Sequence, residues 1–177
     1  MDNAVATPPK LVFVNLVSND ELEAQFNPTQ LSEQIEANWA HQTVPGQSHE
    51  PLQFVNTANF KLDIELFFRA INTTEYEEIH RARRQILSWV YPRDVDGDIS
   101  GGGAPRILVY WPGMLSLTCV LTSVGITHQR FNKNGRSVQF NCRLQLEEIR
   151  DTRLHFDEVA EDNVLRFGDG IGLEESS

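Results

Sequence analysis

Apolar and polar positions divide the chain into stretches of different period. Leu11 to Val17, LVFVNLV, is an almost unbroken, valine-rich apolar run. Its shortness and β-branching predict a buried strand. Glu21 to Phe26 could continue that sheet. Further on, Phe60, Leu62, Ile64 and Leu66 alternate with Lys61, Asp63 and Glu65. That is a strand with one face in a core and the other in solvent. From about 74 to 91 the period becomes helical. Tyr76, Ile79, Ala82, Ile86 and Val90 form one stripe, and Pro92 stops it. Thr74 and Glu77 have capping-box spacing, and Glu75, Glu77 and Glu78 suit the positive end of the helix dipole. Arg81, Arg83 and Arg84 read as an exposed basic face, and His80 as a surface or half-buried histidine.

The last third returns to a period of two. Arg106 to Trp111 is a strand, Trp111 to Met114 a turn, and Met114 to Ile126 a long strand whose phase changes. Leu115, Leu117, Cys119 and Leu121 hold odd positions; Val124 and Ile126 hold even ones. One inserted bulge, or a bend between sheets, accounts for this. A hairpin follows, with Val138, Phe140, Cys142, Leu144 and Leu146 as its apolar set. A three-residue loop, Lys133-Asn134-Gly135, sets Ile126 opposite Cys142 and Val124 opposite Leu144. A two-residue Asn134-Gly135 turn would oppose apolar to polar, so the longer loop is expected, with Gly135 in the left-handed region. This register is expected to put Cys119 and Cys142 on opposite faces, with no disulfide between them.

One stretch reads two ways. In FNPTQLSEQIEANW, Phe26 to Trp39, Asn27-Pro28 resembles a helix start and Leu31, Ile35 and Trp39 recur every four residues. Leu31, Ile35, Ala37 and Trp39 also fit a strand alternation. A loop with Pro45-Gly46 follows it.

Composition narrows the chemistry. A length of 177 residues suits one domain: a loose arm over 1–10, a β domain over 11–149, and an acidic extension over 150–177. The apolar residues scattered in that extension suit docking on a neighbouring subunit or partner, or a terminal strand or helix of its own domain. No apolar run approaches the ~20 residues of a membrane span, and the first residues lack a signal-peptide pattern, so synthesis and folding in the cytoplasm are expected. The net charge of −10 argues against direct nucleic-acid binding. Two cysteines and five scattered histidines make neither a disulfide framework nor a zinc site. A calcium loop starting at Asp94 would need Gly and Glu where Ile99 and Pro105 stand. Gly101 to Gly103 lack a phosphate-loop pattern, so a mobile linker is expected there. No nucleophile elbow exists, and Cys119 sits in an apolar strand. No cofactor, metal or enzymatic activity is expected. Trp39, Trp89 and Trp111 suit either a core or subunit contacts.

An ordered series of motifs carries a resemblance. It comprises Phe26-Asn27-Pro28, Trp39, Pro45-Gly46, Leu52-Gln53-Phe54-Val55 and Leu66-Phe67-Phe68. After the helix come Ala104-Pro105, Val120-Leu121-Thr122-Ser123-Val124, Asn134-Gly135 and Glu147-Glu148. Over residues 10–149 the chain resembles the tube-like baseplate adaptor proteins, or tube initiators, of contractile injection systems and contractile-tailed phages. It departs from them at Asn56-Thr57, where many members have Gly-Gly, and the residues after Ile149 are too few for their LysM module.

The resemblance implies a mainly β domain with one flanking helix, a small barrel or sandwich of the tail-tube type. It implies that Phe26 to Trp39 is a turn followed by a strand. It further implies a structural part: a homohexameric ring joining the tail tube to the baseplate hub or spike. Its partners would be itself, the tube protein, and hub, spike and wedge proteins, with no membrane insertion. It would assemble in the host cytoplasm and end in a virion tail, baseplate or injection particle. The hairpin tip, Phe131, Lys133, Asn134 and Gly135, and the loop with Asp98 and Gly102 are the candidate subunit contacts. A monomeric small-barrel module gripping a ligand or protein in its mouth, and an enzyme with convergent ionisable groups, remain the other readings of the residues.

Overall fold

A computed structural model describes residues 8–150 apart from 44, 47 and 93–102. Asp98, Gly102 and the acidic extension beyond 150 lie outside the described residues. In chain order the elements are β1 (Val12–Asn15), β2 (Glu21–Glu23), β3 (Leu31–Gln34), β4 (Ala37–His41), β5 (Leu52–Thr57), β6 (Lys61–Arg69), α1 (Thr73–Ser88), β7 (Ile107–Trp111), β8 (Leu115–Phe131) and β9 (Ser137–Glu148). The fold is mainly β with one helix. Seven strands form one antiparallel sheet in the order β2-β1-β7-β8-β9-β6-β3, and β4 and β5 pair separately.

The two edges of the large sheet, β2 and β3, are consecutive in the chain and joined by residues 24–30. So short a connection reaches no farther than ~30 Å, so the sheet must curl until its edges approach. Gln25 makes the junction. Its Nε2 donates to Arg69 O at 2.7 Å, and the Arg69 N–H donates to its Oε1 at 2.8 Å. A side-chain amide thus takes the place of a strand beside the end of β6, beyond the Lys61–Ile64 segment that β3 covers. Gln25→Ala leaves both backbone groups to solvent. It should cost about 1–2 kcal/mol, read as a lower urea midpoint with unchanged slope.

Asn27 settles the ambiguous stretch. Its Oδ1 accepts from the Leu11 N–H at 3.1 Å and its Nδ2 donates to Pro9 O at 2.9 Å. The side chain that could cap a helix instead caps the approach to β1, and no helix starts there. Strand structure follows, as the resemblance implied, but the one strand expected is two, β3 and β4, in two different sheets.

Inside the curl lies one core. Phe13, Leu62, Ile64, Leu66, Phe68, Ile107, Val109, Phe140, Cys142, Leu144 and Leu146 all point into it, as do Leu115, Leu117, Cys119 and Leu121. Helix α1 adds Ile79, Ala82, Ile86 and Trp89. Each large apolar side chain so buried contributes roughly 1.5–3 kcal/mol.

Two details of α1 differ from expectation. The cap is Asn72 with Glu75, two residues before the Thr74–Glu77 pair. Asn72 is extended and its Oδ1 accepts from the Glu75 N–H at 2.8 Å, while the Glu75 carboxylate accepts from the Ile71 N–H at 2.8 Å. Asparagine caps at least as well as threonine, so the helix starts as early as it can and Thr74 is already inside it. At the other end, Trp89, Val90 and Tyr91 bond three residues back, to Ile86, Leu87 and Ser88. That tighter winding advances the phase by part of a residue per step. Trp89 therefore enters the core at 1% exposure, and Val90, expected in the stripe, is exposed.

The β8–β9 register is the one expected. Ile126 faces Cys142 and Val124 faces Leu144. The Asn132 N–H donates to Arg136 O at 2.8 Å around the three-residue loop, and Gly135 has φ of 71°. The phase change is a bulge: Leu121 pairs Leu146 and Ser123 pairs Gln145, leaving Thr122, whose hydroxyl donates to Gln145 O at 2.9 Å. The expectation for the cysteines is corrected. Both face the same core, because the extra residue reverses the face between Cys119 and Ile126, the partner of Cys142. They are free thiols. Burial, helped by Glu148, pushes Cys119 up to about 12, and burial also takes Cys142 to about 12.

Candidate functional site

Strands β4 and β5 form a two-stranded arm. Phe54, Val55 and Thr57 after the Pro45-Gly46 loop are β-formers, whereas Trp39 is the one β-former in the β4 run before it, and pairing sets Trp39 against Phe54 and His41 against Leu52. The Trp39 and Phe54 rings meet edge to face at 5.4 Å. On the other side, Asn38 Nδ2 donates to Asn56 Oδ1 at 2.9 Å, and Ala40 pairs Gln53. A bulge lies between Asn38 and Trp39, leaving Val55 outside the ladder. The arm therefore has an apolar face and a polar face. Ile35, Trp39, Leu52, Phe54 and Val55 are each more than half exposed. A lone hairpin of this kind is marginal in water, and an exposed apolar patch marks a contact surface.

A second feature is the reach of β8. Strand β7 pairs it only over Leu115 to Cys119, whereas β9 pairs it as far as Phe131. Among the described strands, the outer edge of β8 from Ser123 to Phe131 has no ladder partner. Free edges of that length attract another strand. At the end of this hairpin Phe131, Lys133, Asn134 and Gly135 are exposed together. Asn132 Oδ1 holds the tip, accepting from the N–H groups of Asn134 at 3.0 Å and Arg136 at 2.9 Å. The tip thus unites four of the residues expected to make subunit contacts.

The polar outer face of β3, β6, β8 and β9 carries a shallow depression of about 580 Å³. Its centre is Asp63 with Arg143, joined at 2.5 Å and by two further bonds from Arg143 Nε at 3.0 and 3.2 Å. The guanidinium hydrogen bonds hold the Asp63 carboxyl below the usual range. Acid and base satisfy each other here, so the depression offers a surface rather than reactive groups. Among the described residues, no group of three His, Cys, Asp or Glu is placed to hold a metal.

The three tryptophans separate: Trp89 is core, Trp111 packs at its margin, and Trp39 stands on the arm. Arg83, expected on an exposed face, has a buried Nε without a protein partner. It follows Ile79 by four and precedes Ile86 by three, so it borders the buried stripe. The arm was missed as a unit in the sequence. Its signal was the placing of the aromatics Trp39 and Phe54 on either side of the Pro45-Gly46 loop.

A family model for the contractile injection system tube protein matches residues 14–157. Among solved structures the chain is similar to one in the virion of a native gene transfer agent particle. The identity is 13%, covering 80% of this chain and 92% of that one, with a TM-score of 0.40. A chain in the tail of an empty gene transfer agent particle, with C6 symmetry, is also 13% identical, covering 82% and 95% at a TM-score of 0.39. A chain of the six-fold symmetrised anti-feeding prophage baseplate is 13% identical, covering 85% and 95% at a TM-score of 0.37. No curated protein matches the sequence.

Proposed function

The chain belongs to the contractile injection system tube protein family, and from that premise we propose that it closes into a hexameric ring joining the inner tube to the baseplate hub or spike. It is a structural component of a contractile injection or tail machine. The observation that carries the ring reading is the arm, whose apolar face is exposed along its whole length. A ring needs two different surfaces on each copy, so that one rotation repeated closes the circle. The arm is one such surface. The edge of β8 that no described strand pairs is the other, and pairing along it covers backbone groups that would otherwise recruit any passing strand. The tip residues Phe131, Lys133, Asn134 and Gly135 project from the same hairpin toward the next ring, of tube protein on one side or hub and wedge proteins on the other. Assembly takes place in the host cytoplasm before incorporation into the tail, baseplate or injection particle.

Native mass spectrometry of the full chain, alone and with the tube and hub proteins of its own system, tests this. A hexamer, alone or nucleated by those partners, is the expected result. A monomer under both conditions overturns the ring and favours a single-barrel binding module.

A further inference from the structure

Ser137, the first residue of β9, stands between two histidines and is 8% exposed. His80 Nε2 on α1 donates to its carbonyl oxygen at 2.9 Å. Its hydroxyl lies 2.6 Å from His128 Nδ1 on β8 and 3.4 Å from Gln139 O. In the Nε2–H tautomer of neutral His128 the hydroxyl donates to Nδ1; in the Nδ1–H tautomer it accepts from Nδ1 and donates to Gln139 O. The Phe140 ring packs between them, 6.0 Å from His80, 5.5 Å from His128 and 5.1 Å from Phe68. One residue thus ties the helix to both strands of the hairpin that presents the exposed tip.

The charges around this cluster are of one sign. Arg83 and His80, both on α1, act on His128. Arg136 lies over the Tyr76 ring, which packs on His80 at 4.3 Å. The nearby carboxylates are engaged or turned away. Glu75 is held in the helix cap, Glu77 and Glu78 are exposed, and Glu65 accepts from Asn141 Nδ2 on β9 at 2.6 Å. From β6 and β9 the cluster meets Phe140, with Phe68 stacked behind it.

We propose that His80, Ser137 and His128 form a latch that holds the β8–β9 hairpin to α1 at neutral pH and releases it on acidification. The latch takes neutral His128 as its Nε2–H tautomer, so that protonation turns Nδ1 from acceptor to donor and the Ser137 hydroxyl proton swings to the more distant Gln139 carbonyl. The new imidazolium is then opposed by the positive charge of Arg83. Burial, then Arg83, then His80 hold His128 below its ordinary value of 6.5. The open hairpin therefore binds protons more readily than the latched one. The latch is fully effective above that ordinary value and is lost as pH falls through the depressed one. This deepens the ring reading and rests on it only for its consequence: the ring-to-ring contact made by the tip becomes acid-sensitive.

Hydrogen exchange of the full chain at about pH 5 and about pH 7.5, corrected for intrinsic rates, tests the latch directly. Wild type should show a severalfold rise in amide opening over 76–83 and 137–142 at the lower pH. His128→Asn, which keeps an acceptor near the Nδ1 position, should abolish the rise, and Arg83→Gln should reduce it. Equal opening at both pH values in wild type, or a full rise in His128→Asn, overturns the proposal. If His128→Asn does not fold, Arg83→Gln and the wild-type NMR titration of His128 decide. Hairpin amide shifts that ignore that titration count against the latch. Exchange that ignores pH in a chain that does form rings rejects the latch alone, whereas exchange that responds to pH without rings at neutral pH rejects the ring alone.

Discussion

Replacing Trp89 by alanine is expected to lower the unfolding free energy by about 3–5 kcal/mol, a large share of what holds a domain of this size together. The indole is 1% exposed and lies at the tightened end of α1, 6.0 Å from the Phe13 ring on β1. It joins the helix to the side of the sheet farthest in order from β6. Gln85 Nε2 reaches the same side, donating to Glu21 O on β2 at 3.3 Å, and apart from Trp89 the buried residues of the helix are Ile79, Ala82 and Ile86. The cavity left by alanine would be enclosed on most sides, so neighbours can collapse into it only in part. Urea denaturation followed by circular dichroism measures the loss. Trp89→Phe should recover about half of it, because a ring remains against Phe13. A loss under ~1 kcal/mol for alanine would mean that the helix end is not packed as described.

Assembly should respond most strongly to the arm. Trp39→Glu combined with Phe54→Glu is expected to abolish rings while leaving the unfolding midpoint of the body within ~0.5 kcal/mol of wild type. The second half of that expectation follows from exposure, since both rings are more than half in solvent and touch chiefly each other. The first half follows from what such aromatic anchors contribute once covered. A buried aromatic at an interface is typically worth about 2 kcal/mol or more, roughly thirty-fold in affinity per contact. Two carboxylates placed in the same patch add a desolvation cost. In a closed ring this loss recurs at every boundary. Sedimentation velocity together with urea unfolding of the same sample separates the two effects. Persistent rings in the double variant would show that the arm is not the subunit contact.

The tip and the arm differ in how visible they were. Phe131, Lys133, Asn134 and Gly135 were legible because a hairpin loop is set by neighbours in sequence: Gly135 supplies the left-handed residue, and apolar partners choose the register. The arm was half legible. Leu52 to Thr57 shows up as β-rich, but that it leaves the core is invisible, because exposure is decided by what is absent around it in space. The His80–Ser137–His128 cluster was not legible at all. Its members are separated by 57 and 9 residues in their hydrogen-bonded pairs, and each alone reads as an ordinary polar side chain.

By itself the sequence determined whatever depends on period and on adjacent residues. That covers the alternation of β6, the stripe of α1, the left-handed loop of the β8–β9 hairpin and the change of phase between Leu121 and Val124. Only the tertiary structure decided the side of the sheet on which both cysteines sit, the early cap at Asn72, and the fate of Phe26 to Trp39. It alone showed Gln25 closing the curl against Arg69 and Asn27 capping the approach to β1. The reason is the same in each case. A period names a face, but hydrogen-bond partners many residues away choose which of several locally permitted conformations leaves the fewest backbone groups unpaired.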